Sequence, residues 1–223
     1  EQAQTLGYTV VDASTVIATH LNQILLMHAH ELLGHEEAQQ LLDRLANVAP
    51  RLVQDLVPKT LPLRVVVRVL QNLLIEQAPI RDIRTIAETL AEHSARSQDP
   101  DVLTTAVRIS LGRMIVQNIN GLEDELPVMT LAAELEQILL RTLQMGNEQT
   151  PLEPGLAERL HKALLDTAQK QELVGQPAVL LVPDALRVML ARFVRHGIPA
   201  LHVLAFSEIP EDRKLKVIAT VGK

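Results

Sequence analysis

The run Ala178 to Val182, AVLLV, constrains this chain more than any other segment. Five apolar residues without polar alternation, closed by Pro183, read as a strand buried on both faces. Pro183 opens a helix carrying Leu186, Leu190 and Phe193, and Leu201 to Ala205 reads as the next strand. Strand, helix and strand in succession imply a right-handed parallel crossover, so the chain must cover both faces of a sheet. Lys214 to Val221 alternates, with Leu215, Val217, Ala219 and Val221 on one side and two lysines on the other, as an edge strand would. Upstream, an apolar stretch at Leu126 to Leu131 leads into a helix to about Leu143. A polar loop precedes Pro151, and a helix from near Pro154 carries Leu156, Leu160, Leu164 and Ala168 inward.

The preceding residues have a helical period. After a short β-branched run at Thr9 to Val11, Asp12 or Ser14 can cap a helix in which Val16, Ile17, Leu21, Ile24 and Leu25 form one face, expected to be buried. Gly34 reads as a break or helix C-cap. Beyond Thr60 and Pro62, Leu63, Val66, Val67, Leu70, Leu73 and Leu74 recur at intervals of three and four, with Arg64, Arg68 and Gln71 turned away. Ile80, Ile83, Ile86, Ala87 and Leu90 carry a second helix. Asp99 with Pro100 starts a third, whose apolar face runs through Leu103, Val107, Leu111, Met114 and Ile115. The expected fold class is α+β and mostly helical. It comprises a strand and helix lead-in at 1–33, a small helical bundle at 34–115, and an α/β subdomain with a mixed sheet at 116–223, the last two separable with an aliphatic core each.

Composition removes several functions. The 223 residues carry a formal net charge of −6 and no cysteine, which disfavours nucleic acid as a partner and excludes disulfides, thiolate zinc sites and cysteine nucleophiles. Tyr8, Phe193 and Phe206 are the aromatic residues, so base-stacking platforms are missing. No stretch approaches the roughly 20 apolar residues of a membrane helix. The chain opens with Glu1 rather than Met and enters a strand-like run at once, so it reads as a fragment whose upstream part can hold membrane spans.

The densest chemistry is MHAHELLGHEE, with His28, His30, His35, Glu31, Glu36 and Glu37. A zinc hydrolase helix needs histidines four apart. His30 and His35 are five apart, turned about 140° from each other on a helix of 3.6 residues per turn, with Gly34 between them. His28, Glu31 and His35 do share a helical face, so a metal-dependent hydrolase built on this cluster is the alternative to solvated histidines near a helix end. No glycine-rich phosphate loop and no GxSxG elbow occur, and no cofactor is implied. The clusters Glu123, Asp124, Glu125 and Glu208, Glu211, Asp212 read as solvated loop carboxylates. Asp82, within the run Arg81 to Arg84, suits the first turn of a helix.

Several long segments taken together, GYTVVDASTVIATHL, VLQNLLIEQAPIRDIRTIAETLAEH, DPDVLTTAVRISLGR, LEPGLAERL and PAVLLVPDALRVMLARFV, resemble the cytoplasmic C-terminal region of the type III secretion export gate family. The opening segment and the EIP at 208 to 210 are nearer its flagellar branch. The resemblance runs from about Leu6 to the terminal Val-Gly-Lys. It implies a non-catalytic gate at the cytoplasmic face of the bacterial inner membrane, anchored by an upstream region, with a nonameric ring of cytoplasmic parts. In that family the cytoplasmic part has four subdomains, of which this chain would carry the end of the first, the helical third and the α/β fourth.

The partners implied are export chaperones with their cargo, neighbouring gate subunits and other export apparatus proteins. The positions matching the family's chaperone groove are Val11, Val16 and Thr19, while Pro79 matches the place where a neighbouring subunit's linker packs. Read without the family, Val11 and Val16 are core residues, Thr19 is a helix-surface polar residue, and Pro79 sets a helix entry. The docking and hydrolase readings separate by metal analysis of the purified chain. Docking expects no stoichiometric zinc, whereas the hydrolase expects zinc and loss of folding on chelation.

Overall fold

The computed structural model describes residues 11–145 and 152–222. Thr9 and Val10 of the opening strand-like run, and most of the polar loop before Pro151, lie outside them. The described residues form a sheet of four strands, β1 (Glu125–Leu131), β2 (Ala178–Val182), β3 (Leu201–Ala205) and β4 (Lys214–Val221), in the order β3-β2-β1-β4. The α+β, mostly helical class and the edge position of β4 are as expected. Each pairing is parallel, in place of a fully mixed sheet, because every strand is reached by a crossover rather than by a hairpin.

Successive right-handed crossovers that step the same way place their helices on one face of the sheet. Helices Ala133–Met145, Pro154–Leu173 and Asp184–Val194 therefore share a core with Met129, Leu131, Leu180, Val182 and Val203. The opposite side chains, Leu126, Val128, Val179, Leu181 and Leu204, belong to the other apolar cluster. That cluster is completed by the upstream helices His35–Ala46, Leu63–Ile75, Ile83–His93, Pro100–Ser110 and Gly112–Asn120. The β2 run is thus buried on both faces, alternate residues serving different cores. The apolar packing of the bundle continues across residue 116 into the sheet.

Local chemistry sets the helix starts. Asp82 accepts from the Thr85 amide at 3.0 Å, and Asp99 from the Asp101 amide at 2.8 Å with Pro100 in the first turn. Gly34 is an N-cap instead of a C-cap, its amide donating to Glu37 Oε2 at 2.8 Å. Gln71 is half-buried rather than turned away, because its amide donates to the Leu33 carbonyl at 2.9 Å. The helix expected to run to Ile115 breaks at Leu111. There Gly112 meets the connection after β3 so closely that an added Cβ would lie 2.2 Å from the Glu208 carbonyl oxygen. The face expected for β4 divides. Val128 pairs with Val217 but Met129 with Ala219, so the extra Ile218 sends Ala219 and Val221 to the face opposite Leu215 and Val217, which are exposed.

Glu208 is 1% exposed, contrary to its reading as a solvated loop carboxylate. Arg108 from the bundle clasps it with two hydrogen bonds, Nε to Oε1 at 2.7 Å and Nη2 to Oε2 at 3.0 Å. Arg108 Nη1 also lies 2.9 Å from Glu76 Oε2, the oxygen to which Arg187 of helix Asp184–Val194 donates. Burial alone would lower the Arg108 pKa, but the charges of Glu208 and Glu76 outweigh it and leave the guanidinium above its usual value. Two arginines and two carboxylates, drawn from both halves of the chain, neutralise one another at the junction. Removing one partner of such a cluster leaves an uncompensated buried charge, so Glu208→Gln is expected to cost about 3–5 kcal/mol. Gly112→Ala should cost about 1–3 kcal/mol by overpacking. Urea denaturation followed by circular dichroism checks both.

Candidate partner-binding surface

Asp12 opens the first helix, Ala13–Met27, as the sequence suggests. Its Oδ1 accepts from the Thr15 amide at 2.9 Å and its Oδ2 from the Thr15 hydroxyl at 2.6 Å. The hydroxyl first and the amide second hold the carboxyl below its ordinary value. Val16, Ile17, Leu21, Ile24 and Leu25 then fall within about half of the circumference at 100° per residue. The expectation that this face is buried is not met, since no residue of the helix is buried and Val16 is 52% and Ile17 66% exposed. The reason is geometric. The chain turns at His28, resumes helix at Ala29–Leu32, and first enters the core at Leu33, so the apolar face is left without a covering element among the described residues.

Val11 and Val16, core residues on the plain reading, are exposed together with Thr19. Positions 16 and 19, three apart on one helix, are surface neighbours, and Val11 precedes the cap. Pro79 is half-buried on a separate element, the connection between helices Leu63–Ile75 and Ile83–His93. His20 is exposed among these side chains. What the surface offers is a row of aliphatic side chains with a hydroxyl beside them, and a contiguous exposed apolar patch of this kind marks an interaction site.

The histidines nearby are tied up differently. His28 Nδ1 lies 2.8 Å from Glu31 Oε1, while His30 Nε2 is 3.9 Å from the same oxygen. The two rings stack with centroids 6.4 Å apart. The hydrogen bond from His28, and then its charge, hold the Glu31 carboxyl below the usual range. His35 is exposed in the first turn of the next helix. Among the described residues no group of three His, Asp or Glu side chains is arranged to hold a metal ion, so the hydrolase alternative lacks its ligand set.

Comparison with known proteins decides the lineage of this surface. A model of the FHIPEP family matches residues 1–214. The chain belongs to the FHIPEP family. The flagellar biosynthesis protein FlhA of Escherichia coli K12 is 51% identical over the whole chain, which spans 32% of that protein. Among solved structures, the Chlamydia pneumoniae CdsV protein is similar in fold, with a TM-score of 0.88 over 99% of this chain and 64% of that one at 24% identity. The nonameric EPEC SctV-C structure is also similar, with a TM-score of 0.77 at 27% identity over 92% of this chain and 62% of that one. The resemblance to the cytoplasmic region of the type III export gate is thereby borne out. The chain spans about a third of the length of the flagellar relative.

Two features of this FHIPEP chain escape sequence reasoning, the exposure of the first helix and the junction of Arg108, Arg187, Glu76 and Glu208. Burial determines both, and residue types and spacing carry no mark of it. Because helix Ala13–Met27 buries nothing, its amides should exchange with solvent at least tenfold faster than those of Leu63–Ile75, whose core side chains are buried. Hydrogen exchange followed by mass spectrometry measures the ratio.

Proposed function

We propose that this chain is a non-catalytic docking and ring-forming scaffold of the flagellar type III export gate, at the cytoplasmic face of the inner membrane. It receives export chaperones with their cargo on helix Ala13–Met27. The observation that supports this most is the helix itself. A chain that buries aliphatic residues throughout its core leaves one continuous aliphatic face uncovered. An apolar helix face is the kind of surface into which an amphipathic partner helix docks. In this reading Val11 and Val16 line the depression, Thr19 stands at its edge, and Pro79 receives a linker from a neighbouring subunit. The nonameric assembly of EPEC SctV-C supports the ring, and the flagellar name of the E. coli relative supports the pathway. The units 1–33, 34–115 and 116–223 then divide docking, bundle and α/β roles.

The flagellar relative is about three times longer than this chain, and the proposal assigns the opposite wall of the groove to the remainder. Each anchor is worth about 1–2 kcal/mol, so losing one wall removes most of a micromolar affinity. The test is calorimetry with a purified flagellar chaperone against the 223-residue chain and against the full-length gate protein. Weak or absent binding is expected for the chain alone. Measurable binding is expected for the whole protein, with at least a tenfold loss on Thr19→Met at unchanged thermal stability. Full affinity for the chain alone, or no effect of Thr19→Met, would place the site elsewhere.

A further inference from the structure

Between the helices and the sheet lies a second concavity, a cleft of about 790 Å³, within the size range of binding pockets. Its walls carry aliphatic side chains, Ile75, Ile119, Val188 and Ile198 among them, together with arginines from three helices. The charges of this wall do not cancel. Arg108 and Arg187 are neutralised by Glu76 and Glu208 and Arg192 donates to Asp101 at 2.7 Å, while Glu31, beside His28, adds one carboxylate to the lining. That leaves Arg68 and Arg195, both exposed and without an ion-pair partner among the described residues. His202, also on the wall, is held below its usual value by burial and then by Arg108, so it adds no charge at neutral pH. A chain of net charge −6 thus keeps two arginines without an ion-pair partner on a cleft with aliphatic walls, against the single further carboxylate of Glu31.

We propose that this cleft is a second docking site, for a partner-protein segment in which acidic residues flank aliphatic ones. The aliphatic side chain fills the hydrophobic wall, and its acidic neighbours meet Arg68 and Arg195. Guanidinium groups suit this task because a carboxylate can accept two parallel hydrogen bonds from one of them. The net negative charge of the chain disfavours such a segment over the surface as a whole, and the pairing of two arginines with an aliphatic wall favours the cleft. Its lining reaches the first helix only at its end, Met27, and includes none of Val11, Val16, Thr19 and Pro79 of the docking surface proposed above.

The probe is a fluorescein-labelled ten-residue peptide of alternating Glu and Leu, titrated with the 223-residue chain and read by anisotropy. Saturable binding is expected, weakened at least tenfold by Arg68→Glu with Arg195→Glu and weakened by raising the salt. It should be unchanged by Arg141→Glu, which alters an exposed arginine outside the cleft, and by Thr19→Met. If the charge-reversed chain loses its circular dichroism spectrum, Arg68→Gln with Arg195→Gln replaces it, and the same loss is expected. No saturable binding to the unaltered chain, undiminished binding to the double variant, or equal binding of a Lys and Leu peptide would overturn the proposal. Displacement of the peptide by micromolar citrate would also overturn it, since the cleft would then be a small-anion site.

Discussion

Two buried arginines at one junction fix how the layers of this molecule sit on one another. Arg108 arrives from the bundle and Arg187 from a helix on the far side of the sheet. Glu76 and Glu208 stand between them, so each guanidinium is neutralised by carboxylates from distant parts of the sequence. Such a cluster is a weak source of net stability, because its Coulomb gain is offset by desolvation. Its contribution is position. A guanidinium seated 2.7 Å and 3.0 Å from two carboxylate oxygens allows little sliding of one layer on another. The close approach of Gly112 to the Glu208 backbone reinforces that register.

Around this junction the layers follow from chain topology. Crossovers that step in one direction leave the second face of the sheet bare, and the bundle fills it with the side chains that seal Leu126, Val128, Val179, Leu181 and Leu204. The bundle and the sheet are therefore partners in one core, and the cleft is what remains where their surfaces part. The same packing accounts for the first helix. With both sheet faces covered and the bundle closed on itself, the aliphatic face of Ala13–Met27 has no place left to bury. A face left exposed in this way is free to meet another protein, and the similar EPEC SctV-C is itself a nonameric assembly.

Residue types and spacing alone determined a good deal. The strand at Ala178–Val182, the crossover behind it, the edge strand, the caps at Asp12 and Asp99 and the aliphatic core were all legible, since each rests on local stereochemistry or on the period of apolar residues. So was the lineage, from long ordered segments. The tertiary structure alone decided whether an apolar face is covered and whether a charge is dry. Val16 and Val66 have the same chemistry and similar helical settings, yet one is 52% exposed and the other 1%. Glu208 and Glu211 lie three residues apart, yet only Glu208 finds two arginines drawn in from far along the chain. Periodicity states which side chains share a face. What that face meets depends on long-range packing, and that is a property of the assembled chain rather than of any segment within it.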